Sequence, residues 1–385
     1  MPQLTILKYS KSPQHIRISS PYANPDVIAP RYVQAITSVS NASEACFEIA
    51  ASWMSECLTE HERCRKTQST ASQMPTRLVE LRQSPSSMLR IIRPPGHLAY
   101  LTVSHCWGVS DVLKLTKTNL EKLQEGFTEN ELPQLYRDCI QVARRLGFQY
   151  LWLDSLCIIQ DSDEDWLEEG WRMGDIYRGS SCTIAAVSCA DSTSSLFTKY
   201  HPLTNSDLYY PASKGEGILR FPYPYREFAE PLYDRAWVLQ ERLLSPRTLE
   251  YTFAGIGWHC EEMVFHRPDP EMRLEDEEAI NVVSPLIDQW RELSNLDIST
   301  ITNADRLRGQ QAWMEVLQTY AMTKLTFESD RPHAINGIIS VLQRQTGLEI
   351  HAGICADFAP YSLLWSVVWP NEQWRYGQYK CPSWS

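Results

Sequence analysis

Cys57, His61 and Cys64 fall at i, i+4 and i+7, a spacing that on a helix stacks two thiols and an imidazole on one face. Deprotonated, they supply three of the four ligands a tetrahedral zinc ion takes, with the fourth left to come from elsewhere in the chain. The competing reading is a packed stripe of small thiols beside a hydrogen-bonded imidazole. It is favoured here because the tight Cys-x-x-Cys knuckle of structural zinc sites is missing, so no metal is expected. His105 and Cys106 invite a cysteine-nucleophile reading. Neighbours at the end of a strand point to opposite faces, so they do not form that dyad with each other. Asp154 is then the partner to consider for either, with Cys157 a second thiol near the same edge. The plain alternatives are buried small thiols and an aspartate that caps the turn after its strand. In Arg235-Ala-Trp237-Val-Leu-Gln240-Glu241-Arg242, Trp237 and Glu241 share a helix face. A carboxylate held beside an indole in a partly desolvated groove has its proton affinity tuned, whereas the ordinary alternative is an amphipathic helix with solvated Gln, Glu and Arg.

These groups need a frame. Ala99 to Ser104, Phe148 to Leu153 and Cys182 to Val187 read as three buried strands. Between the first two, Leu132, Leu135, Cys139, Val142, Ala143 and Leu146 mark one helix face, with Pro133 near its start and Gly147 past its end. Between the second and third, the acidic run Asp161 to Glu169 opens a helix whose N-terminal dipole it suits. The pattern predicts parallel βαβ units and an α/β fold. In such a sheet ligands bind outside the carboxyl ends of the strands. Ser104, His105, Cys106, Trp107 and Gly108 occupy the first of those ends, and Asp154, Ser155, Cys157 and Gln160 the second. Trp237 to Leu244 reads as a short helix, Thr248 to Thr252 as a strand, and the chain from Asp305 as mainly helical. Residues 33 to about 65 also carry a helical period. The expected organisation is a poorly ordered arm over 1–30, a helical and short-strand segment over 31–96, the α/β core over 97–260, and a mainly helical region over 261–385.

Composition narrows the function classes. With 36 Lys+Arg against 47 Asp+Glu, the net charge of −11 argues against a nucleic-acid binder. Eleven scattered Cys and no secretory signal point to reduced thiols in a cytosolic or nuclear protein, with the cytoplasm the expected location, and no run approaches the ~18 apolar residues of a membrane helix. Neither Gly-x-x-x-x-Gly-Lys-Ser/Thr, nor Gly-x-Gly-x-x-Gly after a strand, nor Gly-x-Ser-x-Gly occurs, which disfavours P-loop, Rossmann and typical α/β-hydrolase chemistry. His259-Cys260-Glu261 lacks the Pro-Cys-x-x-Cys that would complete a zinc-deaminase site.

Three blocks in order carry a resemblance: Tyr100 to Gly108, Leu151 to Gln160 with Trp166, Met173, Ile176 and Tyr177 downstream, and Arg235 to Ser245 with Arg247. Flanking matches include Cys57…His61…Cys64, Pro75 to Leu78, and Leu325 to Arg331 before Ala334 and Gly337. Together they resemble the fungal heterokaryon-incompatibility (HET) domain family. That resemblance implies a role in non-self recognition, in which activation triggers programmed cell death. It also implies a distant likeness to TIR domains, a flavodoxin-like parallel-sheet core in which some members cleave NAD. By that matching Glu241 stands where the TIR catalytic glutamate stands, NAD is the candidate substrate, and Trp107, Trp237 and Arg235 are candidate ligand-binding groups. Two other classes compete: a non-catalytic module that acts by self-association or by binding a protein partner, and a small-molecule biosynthetic enzyme on the same fold using Cys106, Cys157 or Asp154.

Overall fold

A computed structural model describes residues 40–69, 74–81, 88–109, 112–199, 208–212, 215–219, 230–253, 255–266, 285–359 and 361–363. The arm expected over 1–30 lies outside these residues, as do 33–39 of the expected N-terminal helix. The strands are β1 (Leu78–Leu81), β2 (Met88–Ile92), β3 (Leu101–Ser104), β4 (Phe127–Thr128), β5 (Tyr150–Trp152), β6 (Cys182–Ala185), β7 (Leu208–Ala212), β8 (Gly215–Leu219), β9 (Arg247–Thr252), β10 (Gly255–Cys260), β11 (Val264–His266), β12 (Ile350–His351) and β13 (Ile354–Cys355). The helices are α1 (Glu44–Thr59), α2 (Glu62–Ser69), α3 (Leu120–Glu125), α4 (Gln134–Arg145), α5 (Asp154–Cys157), α6 (Asp163–Gly179), α7 (Ala236–Leu244), α8 (Pro285–Ser294), α9 (Asn303–Ala321) and α10 (Arg331–Thr346).

Nine strands form one mixed sheet in the order β11-β10-β9-β6-β3-β5-β1-β2-β4. Its centre, β9-β6-β3-β5, is parallel, and β1, β2, β4, β10 and β11 extend it with antiparallel pairings. The expected α/β class holds. Counted along the chain, the four parallel strands lie in the order 2-1-3-4, the order in which doubly wound flavodoxin-like sheets begin. The reversal of strand order falls between β3 and β6.

The three strands read from apolar runs owe their character to burial on both faces: all four residues of β3 and of β6 are buried. Successive β3 residues divide between the two helical layers. Tyr100 on one side donates to the Ile176 carbonyl of α6 at 2.7 Å, and Tyr177 of α6 donates to the Val103 carbonyl at 3.2 Å. On the other side His105, just past β3, meets Tyr136 of α4. This is the geometry that right-handed crossovers impose when the strand order turns back on itself. α4 forms where its stripe predicts, capped by Pro133 and burying Leu135, Tyr136, Cys139, Ile140, Val142 and Ala143. α6 carries Asp163, Glu164 and Asp165 in its first turn. Each fully buried Leu or Val in these stripes contributes about 1.5–3 kcal/mol.

The N-terminal helix departs from expectation. The chain breaks at Glu60–His61 between α1 and α2, so Cys57, His61 and Cys64 do not share one continuous helix face. A second apolar cluster joins Leu239 and Leu243 of α7 to Trp290, Trp313, Val316, Ile338 and Val341 of α8, α9 and α10. Trp313, Val316 and Tyr320 are buried along α9 as their spacing predicts. No helix among the described residues is long and apolar enough to cross a membrane.

Candidate functional site at the carboxyl ends of the parallel strands

Ser104 ends β3, and the residues after it leave the sheet without regular secondary structure. Because side chains alternate, this segment divides its chemistry between the two faces. Ser104 and Cys106 turn toward α7; His105 turns toward α4. On the α4 side, His105 Nε2 lies 2.8 Å from the Tyr136 hydroxyl, which also receives Ser155 Oγ at 2.8 Å. His105 is buried and its pKa is pushed down by burial, against the pull of Asp154. A neutral imidazole accepting from Tyr136 fits that order of hydroxyl groups.

On the α7 side stands Glu241. It is 6% exposed, and burial pushes its carboxyl up to about 7, while the Arg235 charge, Ser104 and Tyr177 favour ionisation and Asp154 opposes it. Glu241 Oε2 and Ser104 Oγ are both sealed from solvent without a well-formed hydrogen bond. Arg235, at the N-cap of α7, donates to the His105 carbonyl and so ties the helix start to the segment after β3. Cys106 packs with Val187, Leu232 and Val238, its thiol raised by burial.

Asp154 sits on the rim between the faces, at the start of α5. It accepts the Trp107 indole N–H at 2.7 Å and the Ser155 amide at 2.7 Å, and lies 3.9 Å from His105 Nε2. The Lys114 ammonium lies 5.4 Å from the centre of the Trp107 ring. Gly108 follows with φ 72°, and a Cβ there would stand 2.3 Å from Asp191 Cβ, so only glycine fits this turn. Asp191 itself accepts from Thr193 and Ser194, which makes it a turn residue.

The structure therefore brings Ser104, Asp154, Arg235 and Glu241 together, with Trp107 on the rim. It does not bring all the candidates there. Cys157 is fully buried in the core, with its thiol pushed up to about 12 by burial. Gln160 spends its amide on the Asp154 and Ile158 carbonyls at 3.0 and 2.9 Å, closing the turn after α5. Trp237 meets Trp166 of α6 edge-to-face at 6.2 Å. Two groups were missed as site residues, Tyr136 and Tyr177. Each sits inside an apolar helical stripe, where a tyrosine reads as core; its hydroxyl is the signal, because a buried phenol needs a partner.

At the far end of the sheet, Cys260 closes β10 beside the sulfurs of Cys57 and Cys64 and the imidazole of His61.

Residues 100–241 match the family model described as Heterokaryon incompatibility protein (HET). That stretch runs from the residue before β3 to Glu241 and covers less than half of the chain; over it the protein is similar to the HET family. No curated protein and no solved structure matched the chain.

Proposed function

We propose that this chain is a cytoplasmic effector of fungal heterokaryon incompatibility that promotes cell death by cleaving NAD, with Glu241 as the catalytic carboxylate. The observation that carries the reading is Glu241 itself: a buried carboxylate raised to about 7, facing Ser104, Tyr177 and Arg235 beside the point where strand order reverses. Two sealed oxygens without a well-formed hydrogen bond stand together here, and such arrangements concentrate where chemistry is done.

In the proposed reaction the bond between the ribose C1′ and the nicotinamide nitrogen breaks. Nicotinamide leaves as a neutral base with the bonding electron pair, so no general acid is needed. The ribose carries oxocarbenium-like charge, which an ionised Glu241 stabilises. Water then adds at C1′, and Glu241 takes its proton. Trp107 offers an aromatic face at the rim, and the Asp154 carboxylate holds the indole in place. Glu241 is closed over by its neighbours, so turnover requires the segment carrying Arg235 to shift. Self-association or a protein partner is the proposed trigger.

The test is NAD turnover by wild type and Glu241→Gln, each forced to self-associate through a fused oligomeric tag. Wild type is expected to turn over NAD on a pH limb rising through about 7, and the variant to lose on the order of 10²–10³ in rate. Equal turnover in both, or none in either, removes the reading. The near-complete burial of Glu241 also suits a non-catalytic interaction module. Toxicity that persists in Glu241→Gln would select that alternative.

A further inference from the structure

The parallel strands begin at the end of the sheet opposite Glu241, and there a second group of reactive side chains converges. Cys57 ends α1 in its last turn, His61 lies in the break before α2, Cys64 lies in α2, and Cys260 is the last residue of β10. Their ligand atoms, three sulfurs and one imidazole nitrogen, all lie within 4.8 Å of one another, and all four residues are buried. His61 Nδ1 is 3.4 Å from the Cys260 sulfur and 3.8 Å from that of Cys64. A tetrahedral zinc ion with Zn–S near 2.3 Å and Zn–N near 2.0 Å spaces its ligand atoms about 3.5–3.8 Å apart. We propose that Cys57, His61, Cys64 and Cys260 bind one structural zinc ion that clips the N-terminal helices to the β10–β11 edge of the sheet.

The surroundings are those of a metal-thiolate site. Cys260 opens a tight hairpin, its N–H bonded to the Met263 carbonyl at 2.8 Å, and the amides of Glu262 and Met263 face its sulfur. The Glu261 amide faces the sulfur of Cys64. Arg247 is the cross-strand partner of Cys260, is fully buried, and donates from Nε to the Cys57 sulfur at 3.0 Å. Three thiolates around a divalent cation leave one net negative charge, which this guanidinium balances. Donors to sulfur and a buried counter-charge are the outer partners that fix metal ligands. The hairpin and α2 are also held together directly: Glu262 accepts from the Arg63 amide at 2.6 Å, and Arg291 of α8 donates to the Cys260 carbonyl.

Four protein ligands complete the tetrahedron, so the site is closed and structural. Ligand atoms this close together suit a single ion; an iron–sulfur cluster would hold them further apart. The packed-stripe reading of Cys57, His61 and Cys64 stood on the missing Cys-x-x-Cys knuckle; the fourth ligand comes instead from Cys260, nearly two hundred residues away.

The experiment is elemental analysis of the full chain purified without chelators, together with cobalt substitution. One zinc per chain is expected, and cobalt exchange should give thiolate charge-transfer bands with the intense visible bands of tetrahedral cobalt. Cys260→Ala is expected to lose the metal. Should that variant fail to fold, His61→Cys keeps four ligands and is expected to retain zinc while its cobalt visible bands shift. A folded chain without metal, a chain holding iron in place of zinc, or full zinc occupancy in a folded Cys260→Ala variant overturns the proposal.

Discussion

At Glu241 burial and charge act in opposite directions, and the balance has a measurable pH signature. Its carboxyl is raised from 4.5 to about 7, chiefly by desolvation, with Arg235 pulling the other way. Between those values the folded chain keeps a proton that the unfolded chain has released. The contribution of this group to stability is therefore full below about pH 4.5, declines as pH rises, and is lost above about 7. Glu241→Gln stays neutral throughout. We expect it to match wild type in denaturant unfolding near pH 4.5 and to be more stable above pH 7 by on the order of 2–3 kcal/mol. A difference that does not change with pH would contradict a raised carboxyl at this position. At this scale the alternation of a strand made the separation of His105 from Cys106 legible, and they do face different helices. The Tyr136 bridge and the Tyr177 contact were not legible, because periodicity gives a helical tyrosine a direction and not a partner.

Helices α6, α7 and α10 meet at a close crossing that determines where Glu241 stands. Gly174 of α6 and Gly337 of α10 allow it: a Cβ on Gly337 would lie 2.1 Å from Gln240 Oε1 and 3.4 Å from Gly174 Cα. Gln240 is buried, with its amide directed at the Met173 sulfur at 3.1 Å. Gly337→Ala gains helix propensity yet must displace that amide, so we expect a net loss of about 1–3 kcal/mol in thermal or denaturant unfolding. Adding Gln240→Ala, which frees the space, should recover part of the loss; a fully additive double variant would show that the clash is not the cause. The elements themselves were largely readable from apolar period and caps, as α4, α6, α7 and α9 illustrate. The break at Glu60–His61 was not, because the apolar positions keep a helical spacing on both sides of it while the chain turns to meet the sheet.

Across the whole molecule the two sites lie at opposite ends of the parallel strands. Glu241 and the rim lie at the carboxyl ends, and the thiol–imidazole cluster lies where β9 begins and β10 finishes. If zinc clips α1 and α2 to that edge, chelation should loosen the molecule locally before it unfolds globally. Hydrogen exchange after chelator treatment is expected to rise first over Glu44–Ser69 and Gly255–His266, with β3 and β6 still protected. Uniform acceleration, or none, would show that the cluster does not act as the clip.

The sequence by itself determined the α/β class, the parallel strands with their connecting helices, and a rim bearing Ser104, Asp154 and Trp107. Local period, burial on both faces of a strand and cap chemistry are all encoded within a few neighbouring residues. Only the tertiary structure decided which distant groups meet. It placed Glu241 against Ser104, set Tyr136 between His105 and Ser155, and carried Cys260 to the three ligands near the other end of the chain. Such meetings depend on how crossovers and edge strands are arranged in space, and sequence spacing carries no record of that arrangement.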